Sequence, residues 1–133
     1  MIDIENEVVT IVYNALQSEG ITASVESVTN LNPDKFPTVC VEEIDNYSYG
    51  GSADSKSNEN HAAVSYEINV FTNDLSGKKQ QAKKIIDVID TKMISKGFSR
   101  FSKTTLSLDN GTKYRIVARY RAYVDKSNII YRR

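Results

Sequence analysis

Few side chains in this sequence are placed to carry a reaction. There is one histidine, His61, and one cysteine, Cys40, 21 residues before it. Cysteine catalysis needs a base to make the thiolate and a third group to orient that base, and this pair forms no such pattern. Cys40 lies in the apolar run Thr38-Val39-Cys40-Val41 and reads as a small core residue. His61 stands at the mouth of a strand and reads as a polar contact. No phosphate-binding Gly-Lys-Ser/Thr loop and no glycine-rich dinucleotide fingerprint occurs. Glu42, Glu43 and Asp45 form an acidic run that could take a divalent cation. Adjacent carboxylates on a strand point to opposite faces, so chelation there needs a bend at residue 44; the other reading is a solvated strand end. The residues therefore predict no enzyme, no cofactor and no metal.

The second chemical feature is a basic stripe. Lys113, Arg115, Arg119 and Arg121 fall at strand spacing on one face, where guanidiniums could track phosphates. Single-strand binding sites usually interleave aromatic stacking groups, and only Tyr123 joins this face. Contact with an acidic protein surface is the better fit, because the rest of the chain supplies one. Residues 1–76 hold 13 acidic and 2 basic side chains, a net of −11; residues 77–133 hold 15 basic and 4 acidic, a net of +11. Two opposite poles in a neutral chain govern association and orientation rather than fold. They suit head-to-tail stacking of copies, or different faces for different partners.

These groups must be positioned by ordinary globular elements. The 133 residues, 40% hydrophobic and 26% charged, suit one domain over 1–133 with a real core. The single cysteine excludes an internal disulfide. No apolar run approaches the roughly 20 residues that span a bilayer, and the acidic start lacks the basic residues of a secretion signal, so a cytoplasm-like compartment is expected.

Residues 4–18 place Ile4, Val8, Ile11, Val12, Ala15 and Leu16 at helical spacing, with Asp3 as a cap and Gly20 as the stop. A weak strand is predicted over 21–28 and another over 38–44, after the extended Phe36-Pro37 step. Residues 45–60 are polar, glycine- and serine-rich and aperiodic, which predicts a long mobile loop with Tyr47 and Tyr49 near its base as binding contacts or packing groups. Residues 61–72 alternate cleanly as a strand. A second amphipathic helix is predicted over about 77–95, stopped by Gly97. Strands at about 98–108 and 112–125 flank Asp109-Asn110-Gly111, the strongest short-range hairpin signal in the chain. The tail ends on Ile129-Ile130-Tyr131-Arg132-Arg133. The expected fold is α+β: two helices on one face of a mostly antiparallel sheet, with a C-terminal hairpin.

Several segments resemble small structural proteins of phages and prophages: Phe36-Pro37-Thr38-Val39-Cys40-Val41-Glu42-Glu43, Glu59-Asn60-His61-Ala62 and Tyr66-Glu67-Ile68-Asn69-Val70. So do Ser76-Gly77-Lys78-Lys79, Gly97-Phe98-Ser99-Arg100, Val117-Ala118-Arg119-Tyr120 and Ile130-Tyr131-Arg132-Arg133. The likeness runs in order over nearly the whole chain, and the layout is similar to the tail terminators and head–tail joining (tail completion) proteins of long-tailed phages. That resemblance implies a virion protein assembled in the bacterial cytoplasm. It implies a ring, commonly of six copies, on the head-proximal end of the tail tube. The implied partners are other copies, the tail tube protein and the head–tail connector, with DNA passing through the ring, and no membrane. The family has no catalytic residues to transfer. Candidate contact residues are Arg115, Arg119, Arg121, Arg132 and Arg133, set against Glu42, Glu43 and Asp45, with Tyr47 and Tyr49. A head–tail joiner of similar fold and a small nucleic-acid-binding protein are the alternatives.

Overall fold

The computed structural model describes residues 1–48 and 61–132. The first helix, α1 (Glu5–Ser18), buries Val8, Val12, Ala15 and Leu16 along one stripe. Asp3 Oδ1 accepts the Glu5 N–H at 3.0 Å, and the first-turn Glu5 and Glu7 oppose the positive end of the helix dipole. Gly20, at φ 69°, takes the left-handed position that ends the helix; beyond it the Ile21 N–H returns to Leu16 O.

The strands are β1 (Ser24–Glu26), β2 (Thr38–Ser48), β3 (His61–Thr72), β4 (Ser99–Leu108), β5 (Lys113–Asp125) and β6 (Ile130–Arg132), with the second helix, α2 (Lys78–Ser95), between β3 and β4. They form one six-stranded sheet in the order β1-β2-β3-β5-β4, with β6 also pairing β5 beyond the end of β4. Only β1 and β2 run parallel. The fold is therefore α+β, with both helices on one face of a mostly antiparallel sheet.

On that inner face, Val39 and Val41 of β2, alternate residues from Ala62 to Val70 of β3 and from Tyr114 to Val124 of β5 meet the helices in one core. α1 lies toward β1 and β2, whereas α2 lies over β3, β5 and β4. From α2 the core takes Ala82, Ile85, Ile86, Ile89 and Met93. Each fully buried aliphatic side chain of this kind contributes about 1.5–3 kcal/mol over its exposed state.

Three differences from the sequence reading have physical causes. Strand β2 does not stop at residue 44: a bulge between Glu43 and Asp45 absorbs Ile44, and Asp45–Ser48 then pair with Ser65–Ala62. Ladder pairing with the strongly apolar β3 overrides the polarity of those residues. The remainder of the predicted loop, 49–60, lies outside the described residues. The weak strand at 21–28 shrinks to three residues, held by parallel pairing with Thr38–Cys40 and by packing of Val25 on the core. The tail adds β6, because Asp125 Oδ1 accepts the N–H groups of Ser127 and Ile129 and turns the chain back onto β5. The hairpin turn stands where Asn-Gly placed it, with positive φ at Asp109, Asn110 and Gly111.

The outer face of the sheet has no helix on it among the described residues, yet Thr38, Cys40, Ser65, Asn69 and Phe71 are buried there. Two things cover them. The crossover from β1 to β2 lies on this face, tied down by Thr29 N–H to Glu42 (3.1 Å) and by Lys113 Nζ against Asn32 Oδ1 and the Phe36 ring. The long side chains of β5 fold flat over the remainder, their stems shielding apolar surface while the charges reach water.

Candidate functional site

Register sets the residues of the outer face in rows. One row crosses from Glu42 through Glu67 and Arg119 to Ser102; the next crosses from Asp45 through Ser65 and Arg121 to Ser99. Arg119 Nε meets Glu67 Oε2 at 2.9 Å, and Asn69 Nδ2 donates to the other oxygen of Glu67 at 3.0 Å. Burial alone would raise the Glu67 carboxyl, but these two hydrogen bonds and the guanidinium charges hold it below its ordinary value. Arg115 Nε donates to Asn69 Oδ1 at 2.8 Å and its guanidinium lies 5.5 Å from the Phe71 ring centre. Arg121 sits 5.4 Å over Phe101, the residue that the β4 bulge turns outward. All three predicted arginines thus share one face, as their spacing required, and all three are engaged with their own subunit.

The other candidates do not converge with them. Glu42 and Asp45 lie on the outer face, but Glu43 points to the inner side, taking hydrogen bonds from Asn46 Nδ2 (2.8 Å) and the Tyr66 hydroxyl (3.4 Å). Burial pushes the Glu43 carboxyl above its ordinary value, and the nearby charges of Asp3 and Glu5 add to this. Tyr47 is exposed on β2. Arg132 belongs to the end of α2, where its guanidinium donates to Ile94 O (2.8 Å), which also accepts the Gly97 N–H, and to Phe98 O just beyond the helix (2.9 Å). Tyr49 and Arg133 lie outside the described residues.

Cys40 is buried, and burial raises its thiol, which opposes nucleophilic use. His61 stacks obliquely against Tyr131, 6.1 Å between ring centres, whose hydroxyl donates to Asp125 Oδ2 at 3.1 Å. Among the described residues no group of three or more His, Cys, Asp and Glu side chains could hold a metal ion, and no helix is long and apolar enough to cross a membrane.

The charge poles acquire an address in space. Residues 1–48, which build α1, β1 and β2, carry nine acidic and one basic side chain, a net of −8. Residues 78–108, which build α2 and β4, carry eight basic and two acidic, a net of +6. The first group forms one margin of the sheet; of the second, β4 forms the opposite margin and α2 lies beside α1 over β3, β5 and β4. At the basic margin Lys83, Lys84, Arg100 and Lys103 line an open groove between α2 and β4 together with Asp87 and Asp90. Arg100 meets Asp90 at 2.9 Å, and Asp90 also accepts the Tyr120 hydroxyl at 2.8 Å. The sequence reading passed over these four cations. Their signal was present as lysines off the buried stripe of α2 and as two cations on the strand that follows it.

No family model matches the chain, and no curated protein matches it. Its fold does recur in a solved structure. A chain in the virion of a native gene transfer agent particle superposes with a TM-score of 0.62 over 88% of this chain and 93% of that one. Identity between the two is 16%. What they share is the fold.

Proposed function

We propose that this protein is a structural component of a virion: a ring subunit, six copies to the ring, at the head-proximal end of a phage tail tube, where it stops tube polymerisation and docks to the head connector. It takes part in no reaction. The observation that carries this reading is the fold shared, nearly end to end, with a chain of the gene transfer agent virion. The segments that resemble tail terminators and joining proteins point the same way. Opposite poles at the two margins of the sheet suit the heterologous contact that closes a ring.

A basic surface for nucleic acid is the weaker reading of the stripe on β5, because Arg115, Arg119 and Arg121 are already engaged by Asn69, Glu67 and Phe101. Electron microscopy of particles made without this gene tests the proposal. Tubes of uncontrolled length identify a terminator. Normal tails beside full, unattached heads identify a joining protein of the same fold. Wild-type virions overturn the virion role.

A further inference from the structure

We propose that the groove between α2 and β4 receives the acidic first turn of α1 from a second copy of this chain. This rests on the reading of the protein as a self-assembling ring subunit and places that contact on the helix-bearing side of the sheet. Three observations carry it.

The first is a set of cations that the subunit leaves unanswered. Lys83 and Lys84 of α2 and Lys103 of β4 line the groove, which encloses about 420 Å³, and all three are exposed. Lys103 belongs to the helix side, since it stands level with the core residue Ala118 of β5. Ion pairs among the described residues join Arg100 to Asp90, Lys113 to Asp109 and Arg119 to Glu67; these three lysines enter none of them. With Arg100 and Asp90 engaged by each other, the groove sets three ammonium groups against the single carboxylate of Asp87.

The second is an acidic surface on the same side of the sheet. No basic residue precedes Lys35, and α1 opens on Asp3, Glu5 and Glu7. None of these acids enters an ion pair among the described residues. Asp3 and Glu5 lie close enough to Glu43, on the inner side of β2, for their charges to add to burial in raising its carboxyl. This corner therefore repels itself within the subunit and is relieved by a cation from outside. Glu42 and Asp45, on the outer face, take no part.

The third is placement. α1 lies toward β1 and β2, at the margin opposite β4. Rotating a copy about an axis along the strands keeps its helices on the same side of the sheet, and so brings α1 of one copy to the groove of the next. A single inner-face row runs from Glu43 through Tyr66 and Tyr120 to Arg100, so the acidic corner and the mouth of the groove stand at the same level. Nucleic acid fits the groove less well. Asp87 and Asp90 stand among the lysines and oppose a phosphate backbone, whose charges come at fixed close spacing. Carboxylates on a helical turn can meet the lysines singly.

Two double variants and their mixture test this. Lys83→Glu with Lys84→Glu turns the groove acidic, and Glu5→Lys with Glu7→Lys turns the first turn of α1 basic. Self-association is read by sedimentation velocity up to millimolar protein at low salt, with circular dichroism and thermal melts confirming that each variant is folded. Where reversal against the helix dipole unfolds the chain, Glu5→Gln with Glu7→Gln takes its place and should still weaken association. Wild-type association should weaken as salt is raised. Each reversal alone should associate at least about tenfold more weakly, because groove and helix turn then carry the same sign. An equimolar mixture of the two reversals should associate again, since copies in alternation pair opposite signs at every junction. Folded variants that associate like the wild type, a mixture of folded reversals that stays monomeric, or a wild-type chain that stays monomeric under all these conditions overturns the contact. So does a double-stranded DNA oligonucleotide that binds the monomeric wild type and not Lys83→Glu with Lys84→Glu, which assigns the groove to nucleic acid. The ring reading is decided separately, by the tube-length phenotype above.

Discussion

Reversing Arg119 to glutamate should weaken the isolated subunit, whatever it does to assembly. Arg119 Nε and Glu67 Oε2 are 2.9 Å apart, with the arginine side chain 44% exposed and the glutamate 16%. An ion pair this open contributes about 1 kcal/mol at most. Placing a carboxylate there adds repulsion against Glu67, which keeps only the Asn69 amide as a donor. The new side chain relieves most of that repulsion by turning into water, which leaves about 1 kcal/mol more. The expected loss is about 1–2 kcal/mol. In urea that lowers the unfolding midpoint by roughly 1 M, and on heating it lowers Tm by roughly 2–8 °C. Charge exchange, with Glu67→Arg added to Arg119→Glu, should recover at least half of the loss.

The pH dependence has a definite sign. Glu67 is held below its ordinary value near 4.5, so its contribution is complete above that pH and is lost as pH falls through the lowered value. Wild type and Arg119→Glu should therefore converge in stability in acid below pH 4.5. Equal urea midpoints for the two at pH 7, or no recovery on charge exchange, refutes this account of the outer face. Equal midpoints would also mean that reversal of Arg119 is a clean probe of assembly, which the geometry denies. Arg121→Glu is the cleaner probe, since Arg121 gives up only its contact with the Phe101 ring, about 0.5–1 kcal/mol.

Arg121→Glu should also leave self-association unchanged if the contact lies at the margins; loss of association in the folded variant would move the contact to the outer face. Gly97→Ala should destabilise the fold by about 1–3 kcal/mol, because φ is +106° there and a Cβ would stand 3.1 Å from Ile130 Cγ2 and 3.2 Å from Ile130 O. Chemical denaturation measures it, and an unchanged midpoint would show that β6 yields freely. Glu43→Gln should be neutral or stabilising at pH 7, since burial disfavours the charge and the amide can still accept from Asn46 and Tyr66. With the folded value raised, the wild type gains on unfolding equilibria as pH falls through it, and the advantage of glutamine should shrink over that window. An advantage that grows towards acid contradicts this.

Periodicity made much of the fold legible. The helical stripes of α1 and α2 and the alternation of β3 are one-dimensional signals of elements buried on one side. Asn110-Gly111 marked its hairpin because few other residues accept positive φ in succession. The end of β2 was illegible for the opposite reason. Asp45, Asn46, Tyr47 and Ser48 have the composition of a loop, and only the pairing supplied by β3, after the bulge at Ile44, makes them strand. The same bulge decides which acids share a face: Glu42 and Asp45 do, although three residues apart, and Glu43 does not.

Site residues were legible as far as spacing reaches. Alternation placed Arg115, Arg119 and Arg121 on one face, but spacing along β5 says nothing about β3, where Glu67 and Asn69 wait for two of them. Arg132 read as a terminal charge and is instead a cap on α2, through a contact 38 positions back in the chain. The charge split behaves differently. It is a property of the order of elements, and it survives folding because the N-terminal elements build one margin of the sheet while β4 builds the other. Had the chain placed β4 beside β1, or interleaved the two groups of strands, the same residues would have neutralised one another within one subunit. Segregation along the sequence becomes polarity across the sheet only through this topology.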